Sequence, residues 1–161
     1  MIVLNLEPDN FSKKAIFKLN KYFTYKEKKE IISSDKKKVV AIITKLKFNI
    51  DKEILKQFKN LKYIICNTTG IEHIDLNFCK TKKIKIISLK NEKIFMKKIN
   101  STAEFTFGLL LSLVRKIPFA FNDVIKMNWR RNNFIGRDLN NMSLGIIGMG
   151  RNGKKIANYA K

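Results

Sequence analysis

A chain of 161 residues suffices for one ordinary domain, or one domain and part of another, and its 45% hydrophobic and 29% charged residues exclude a disordered segment. Two cysteines, Cys66 and Cys79, exclude a disulfide framework, no Cys/His spacing offers a metal site, and the longest apolar stretch, Phe105 to Val114, is about half a membrane span. The net charge of +21 raises a nucleic-acid partner, but only five of the 34 basic residues are arginine, the residue of base-edge and bidentate phosphate contacts, so a compositional bias that solvates the surface is the preferred reading.

The opening run Met1–Glu7 lacks a basic n-region and a cleavage site, so no signal peptide is read and a reducing cytoplasm is the expected compartment. Ile2–Leu6 reads as a strand. Asn10–Lys21 reads as a helix with Ala15, Phe17 and Leu19 near its apolar side. Val39–Thr44 is a continuous β-branched run, the signature of a strand buried on both faces. Asp51 can cap a following helix whose buried stripe is Ile54, Leu55 and Phe58. Tyr63–Cys66 is the next strand, Asp75–Lys80 a short helix and Lys85–Ser88 another strand. Strands alternating with helices predict an α/β fold with a parallel sheet.

Lysine and glycine are unevenly divided, which places a domain boundary near Ile99-Asn100 and separates residues 1–98 from 99–161. Ser101-Thr102-Ala103-Glu104 has the form of a capping box. The helix it opens, to Ile117, is apolar nearly all round, which predicts burial on several sides or a place at a subunit interface. Pro118 ends or restarts it, and Phe119–Met127 is amphipathic and leads to Trp129. Ser143–Gly148 reads as a strand and Arg151–Lys161 as a helix.

Two loops carry chemistry. Gly148-Met149-Gly150-Arg151-Asn152-Gly153 is a G-x-G-x-x-G that directly follows a strand pattern and opens a helical one. In that setting Gly148 permits a tight turn, Gly150 lets backbone approach a pyrophosphate, and Gly153 lets helix pack on strand. The phosphates then meet unpaired N–H groups and the positive end of a helix dipole. The bland alternative is a glycine-rich turn in a ligand-free α/β domain. The second loop, Asn67–Asp75, follows the strand Tyr63–Cys66, and such a loop can aim successive N–H groups at a carboxylate. Its bland alternative is a tight turn with Asp75 as an N-cap.

Four segments occur in order: Cys66–Asp75, Asn100–Glu104, Gly108–Leu111 and Leu144–Gly153. Together they resemble the D-isomer-specific 2-hydroxyacid dehydrogenases, from about Val39 to Lys161. The resemblance implies a flavodoxin-like substrate domain (1–98) followed by a linker helix and the truncated start of a Rossmann nucleotide-binding domain (99–161). It implies that Thr68, Thr69, Gly70 and Ile71 hold a substrate carboxylate through backbone N–H groups, with Thr69 also near the cofactor. It implies that Gly148, Gly150, Arg151, Asn152 and Gly153 bind the cofactor, NAD or NADP, with Arg151 and Asn152 at its pyrophosphate. The partners implied are a small 2-hydroxy or 2-keto acid and, through residues 102–117, a second copy of the chain.

The arginine, glutamate and histidine of the family's chemistry are expected downstream of Lys161, so no catalytic residue is assigned here. His73 is read as a loop or packing residue and Glu104 as a capping residue. The acidic residue that should follow the glycine motif by about 20 positions also falls beyond Lys161. The chain therefore reads as an N-terminal fragment, inactive alone, whose Leu144, Ile146 and Ile147 lack cover and whose isolated form should be poorly soluble or partly molten. The alternatives are a non-catalytic dinucleotide-binding sensor or scaffold of the same fold and, on charge alone, a nucleic-acid-binding protein.

Overall fold

The computed structural model describes residues 1–161, which divide into two compact units, Met1–Lys93 and Ile94–Lys161. In the first unit β1 (Ile2–Asn5), β2 (Thr24–Glu27), β3 (Val39–Thr44), β4 (Tyr63–Cys66) and β5 (Lys85–Ser88) form one sheet. All pairings are parallel and the order is β2-β1-β3-β4-β5, the flavodoxin-like arrangement in which the chain reverses direction across the sheet between β1 and β3.

The two central strands are the apolar runs. Ile2, Val3, Leu4 and Asn5 of β1 and all of β3 except Val40 are buried, as expected of strands covered on both faces. On one face Leu4, Ile42 and Ile64 pack with Ile50, Leu55, Phe58, Ile74 and Cys79. These come from α2 (Lys52–Leu55), α3 (Leu76–Thr81) and the turns beside them. Both helices start as their caps dictate. Asp51 accepts from the Ile54 N–H at 2.9 Å and Asp75 from the Phe78 N–H at 2.8 Å.

On the other face Val3, Ala41 and Ile43 meet Phe11, Leu19 and Phe23, which lie within and around α1 (Lys13–Asn20). Cover thins toward the edge. Ile43, Ile65 and Ile87 are partners in one cross-strand row, and exposure climbs from 5% at Ile43 to 52% at Ile87.

Several expectations need correction here. The first helix starts at Lys13, because Asn10 takes a left-handed conformation (φ 56°) and Ser12 is the cap. Phe17 is exposed, with the Lys21 ammonium 5.1 Å from its ring centre. The helix after Asp51 is a single turn, and Phe58 reaches the core from beyond it.

The second unit holds α4 (Lys93–Lys97, starting one residue earlier), α5 (Ser101–Val114), α6 (Ile117–Ile125) and α7 (Arg151–Tyr159). The capping box does not form. Asn100 takes the N-cap position, and neither it nor Glu104 makes a cap hydrogen bond. Pro118 sits in the first turn of α6, behind a left-handed Lys116 (φ 55°). Asp123 of α6 is buried and accepts from Arg130 Nε (3.0 Å) and Asn128 Nδ2 (3.4 Å). The Arg130 guanidinium holds the Asp123 carboxyl below its ordinary 3.8, against the upward push of burial. Gly136 is obligatory, since a Cβ there would stand 2.6 Å from Arg115 Cα.

Ser143–Gly148 is not a strand. An apolar run becomes β-structure only when another edge satisfies its N–H and C=O groups, and no segment of this unit pairs with it. Helix α5 differs from expectation too. It packs on α7, with Phe107 edge-on to Tyr159 at 5.9 Å, but only Ala103 is fully buried. Phe105, Leu109 and Leu113 form a stripe at helical spacing that faces solvent. The 161-residue chain is therefore expected to bind 1-anilinonaphthalene-8-sulfonate with strong fluorescence enhancement; a monomer that leaves the dye dark would contradict this.

Candidate functional site

The first candidate lies at the carboxyl end of β4. Cys66, the last residue of the strand, is buried, and its Sγ lies 2.8 Å from Thr68 Oγ1. The Thr68 hydroxyl donates to the Gly70 carbonyl at 2.8 Å, and the Thr68 carbonyl accepts from the Leu89 N–H at 3.1 Å. Thr68 is thus turned inward and tied at both ends. Ile71 packs on the sheet core, and the His73 carbonyl accepts from the Ile50 N–H at 2.7 Å. Between these anchors the N–H groups of Thr69, Gly70 and Ile71 find no acceptor in the chain. Three successive unpaired donors on a braced loop can receive an anion such as a carboxylate. The side chain of Thr69 is exposed beside them.

His73 faces inward. Its Nε2 is 3.9 Å from Cys66 Sγ and its Nδ1 is buried without a partner. Glu72 folds back so that its Oε2 stands 2.6 Å from where a Cβ on Gly70 would be. Any larger residue at position 70 displaces that carboxylate.

The second candidate is the turn into α7. Gly148 has φ +94°, a conformation open to glycine and strained for side-chain-bearing residues. A Cβ on Gly153 would lie 2.2 Å from the Gly148 carbonyl oxygen, so helix and turn touch there, backbone to backbone. A Cβ on Gly150 meets nothing within 4 Å, so the approach to the helix end is open. Gly150 is the N-cap without a side-chain cap, and the N–H groups of Arg151, Asn152 and Gly153 have no acceptor. The buried Oδ1 of Asn152 has no donor. Unpaired donors, open space and helix polarity converge on one spot, and the residues present fit a dinucleotide's pyrophosphate. Arg151 donates through Nη1 to the carbonyls of Met96 (3.4 Å) and Ile99 (3.2 Å), while its Nε and Nη2 bond to nothing in the chain.

A residue that sequence reasoning passed over stands at the carboxyl end of β1. Glu7 is buried, its Oε1 accepting from the Thr44 hydroxyl (2.9 Å) and the Lys45 N–H (2.7 Å), its Oε2 from the Lys47 N–H (3.2 Å). Burial alone would raise this carboxyl, but the donors of Lys45, Thr44, Lys47 and Leu46 outweigh it and hold it below its ordinary 4.5. The only available signal was its position directly after a buried strand. No group of three or more His, Cys, Asp or Glu side chains is placed to hold a metal ion, and no helix is long and apolar enough to cross a membrane.

A flavodoxin-like sheet with a loop of unpaired N–H groups at one strand end, followed by a glycine turn that opens a helix, defines the class of α/β protein to which the chain belongs. The chain matches the D-isomer specific 2-hydroxyacid dehydrogenase catalytic domain over residues 6–127 and the NAD binding domain of the same enzymes over residues 107–161. It belongs to that family. It is 32% identical over 124 residues to D-3-phosphoglycerate dehydrogenase of Archaeoglobus fulgidus, covering 77% of this chain and 23% of that protein. It is 38% identical over 108 residues to an aromatic 2-oxoacid reductase of Clostridium sporogenes, covering 66% and 31%. The crystal structure of D-lactate dehydrogenase from Aquifex aeolicus, complexed with NAD and lactic acid, superposes with a TM-score of 0.82 at 26% identity, covering 99% of this chain and 48% of that one. The chain thus spans about half the length of that structure and less of the curated relatives it matches.

Proposed function

We propose that this chain supplies the substrate-carboxylate loop and the pyrophosphate-binding turn of an NAD(P)-dependent enzyme that interconverts a D-2-hydroxy acid and its 2-keto acid. The observation that carries the reading is the row of unpaired N–H groups at Thr69, Gly70 and Ile71. The similar proteins are named for phosphoglycerate, aromatic 2-oxoacids and lactate, which share only the carboxylate and the oxygen on its neighbouring carbon. A backbone cradle reads that shared part, and other positions set the rest. Thr68 braces the cradle from within. Gly148, Gly150 and Gly153 shape the cofactor's seat, and Arg151 and Asn152 face its diphosphate. The bound nicotinamide would accept or return the hydride of the substrate carbon. We assign no residue of 1–161 to proton transfer: His73 lies under the loop beside Cys66, and Glu104 is exposed on α5.

The exposed stripe Phe105, Leu109 and Leu113 fits a homodimer contact, and the buried, unpaired Cys66 and Cys79 fit a reducing cytoplasm. The reading is tested by amide NMR of the 161-residue chain. NADH is expected to shift the amides of Arg151, Asn152 and Gly153, and D-lactate those of Thr69, Gly70 and Ile71. Shifts scattered over surface lysines, with these six unmoved, would sink it.

A further inference from the structure

We propose that Lys155 is a positioning residue that clamps the segment between α4 and α5 to the nucleotide helix α7, leaving Arg151 as the exchangeable member of the clamp. The Lys155 ammonium donates to the Lys97 carbonyl at 2.8 Å, the Ile99 carbonyl at 2.7 Å and the side-chain oxygen of Asn100. An ammonium has three protons and no acceptor capacity, so three neutral oxygens saturate it. Arg151, one turn earlier on the same helix face, adds Nη1 bonds to Met96 and Ile99. One face of α7 thereby holds the carbonyls of Met96, Lys97 and Ile99 and the side chain of Asn100. Cations are favoured there, because the last carbonyls of a helix carry the negative end of its dipole.

The same contact explains the missing cap on α5. Asn100 stands at the N-cap position, yet its side-chain oxygen bonds Lys155 and caps nothing. The sequence therefore spends a good capping residue on holding the connector.

The two cations differ in what a ligand can take from them. Lys155 has no proton left to offer. Arg151 opens α7 directly beside Gly150 and holds Met96 and Ile99 through Nη1 alone, so an anion at the glycine turn that draws the guanidinium toward itself through Nε and Nη2 weakens those two bonds. This second part rests on the pyrophosphate reading above; the clamp itself does not. Two equilibria that share one guanidinium are linked, and the linkage is reciprocal. With Lys155 present, the connector stays held when Arg151 turns to a phosphate. Without it, anion binding should release the connector.

The test is hydrogen exchange of the 161-residue chain and its Lys155→Met and Lys155→Arg variants, with and without NADH, and NADH affinity measured by fluorescence. Without NADH, exchange across Ile99–Ala103 should be at least tenfold faster in Lys155→Met and within about threefold of wild type in Lys155→Arg. Added NADH should accelerate that segment further in Lys155→Met and leave it nearly unchanged in the wild type. Unaltered exchange in Lys155→Met overturns the clamp, as does a general loosening that includes α6. NADH that binds Lys155→Met without accelerating the segment overturns the linkage. Failure of the wild type to bind NADH removes the pyrophosphate reading and the linkage with it, while the comparison without NADH still decides the clamp.

Discussion

Gly153→Ala is expected to abolish measurable NADH binding and to destabilise the C-terminal unit by roughly 2–4 kcal/mol. The added methyl would stand 2.2 Å from the Gly148 carbonyl oxygen and 3.3 Å from Ile146 Cγ2. The near neighbour is backbone, not the mobile end of a side chain. Gly148 cannot rotate its carbonyl aside cheaply, because its own positive φ sets the turn. The helix must therefore move off the turn, and the N–H groups of Arg151, Asn152 and Gly153 move with it. Gly150→Ala makes the informative contrast. Its methyl meets nothing within 4 Å in the protein, so the melting temperature should stay within about 2 °C of wild type. In the proposed cofactor seat it stands where backbone approaches the diphosphate, so NADH affinity should fall tenfold or more. Stable folding of Gly153→Ala with NADH affinity within threefold of wild type would refute the packing argument. Unchanged affinity in Gly150→Ala would refute the assigned seat of the cofactor.

The contrast between these glycines shows what a sequence carries. The glycine motif was legible because its meaning is local: the turn, the open approach and the helix contact all fall within six residues. The strands β3, β4 and β5 were legible to the residue, since each carries adjacent β-branched residues bounded by turn and helix signals. Strand β2 (Thr-Tyr-Lys-Glu) was missed. As an edge strand it pairs only with β1 and bears no apolar pattern. Ser143–Gly148 fails in the opposite sense. It has the composition of a strand, but pairing is a property of two segments, and no second one in its unit meets it. Glu7 and Lys155 were invisible for a related reason. Each acts on main-chain groups distant in sequence, 38 residues away at Lys45 and 58 away at Lys97, and backbone N–H and C=O groups leave no trace in residue type. The cap on α5 misled because Asn100 and Ser101 are both good capping residues, and a lysine 55 positions on decides what Asn100 does.

Glu7→Gln is expected to destabilise the N-terminal unit by roughly 2–4 kcal/mol at pH 7, lowering its melting temperature by about 10–20 °C. Both oxygens of Glu7 are acceptors of buried or partly buried donors, and a carboxylate is the only side chain of this size that accepts at both. Glutamine keeps one acceptor and turns an NH2 toward either the Lys47 N–H or the Thr44 and Lys45 pair. A buried donor then faces a donor, which costs more than the lost bond alone. The pH dependence has a fixed sign. The folded state holds the Glu7 carboxyl below its ordinary 4.5, so its contribution is fully present above that value and disappears as pH falls through the lower folded value. Urea midpoints of wild type and Glu7→Gln should therefore differ widely at pH 7 and converge as pH drops below about 4. Asp35, held below its ordinary 3.8 by the Lys26 ammonium at 2.7 Å, titrates in the same direction in both proteins and cancels from the difference. A gap that stays constant down to pH 3 would show that Glu7 acts through shape and not charge. Equal midpoints at pH 7 would show that the loop Lys45–Lys47 does not need it. That loop closes the carboxyl end of β3, beside the Cys66 thiol that donates to the Lys45 carbonyl at 3.6 Å beneath the proposed substrate loop. Loosening it should therefore also broaden the amides of Thr69, Gly70 and Ile71.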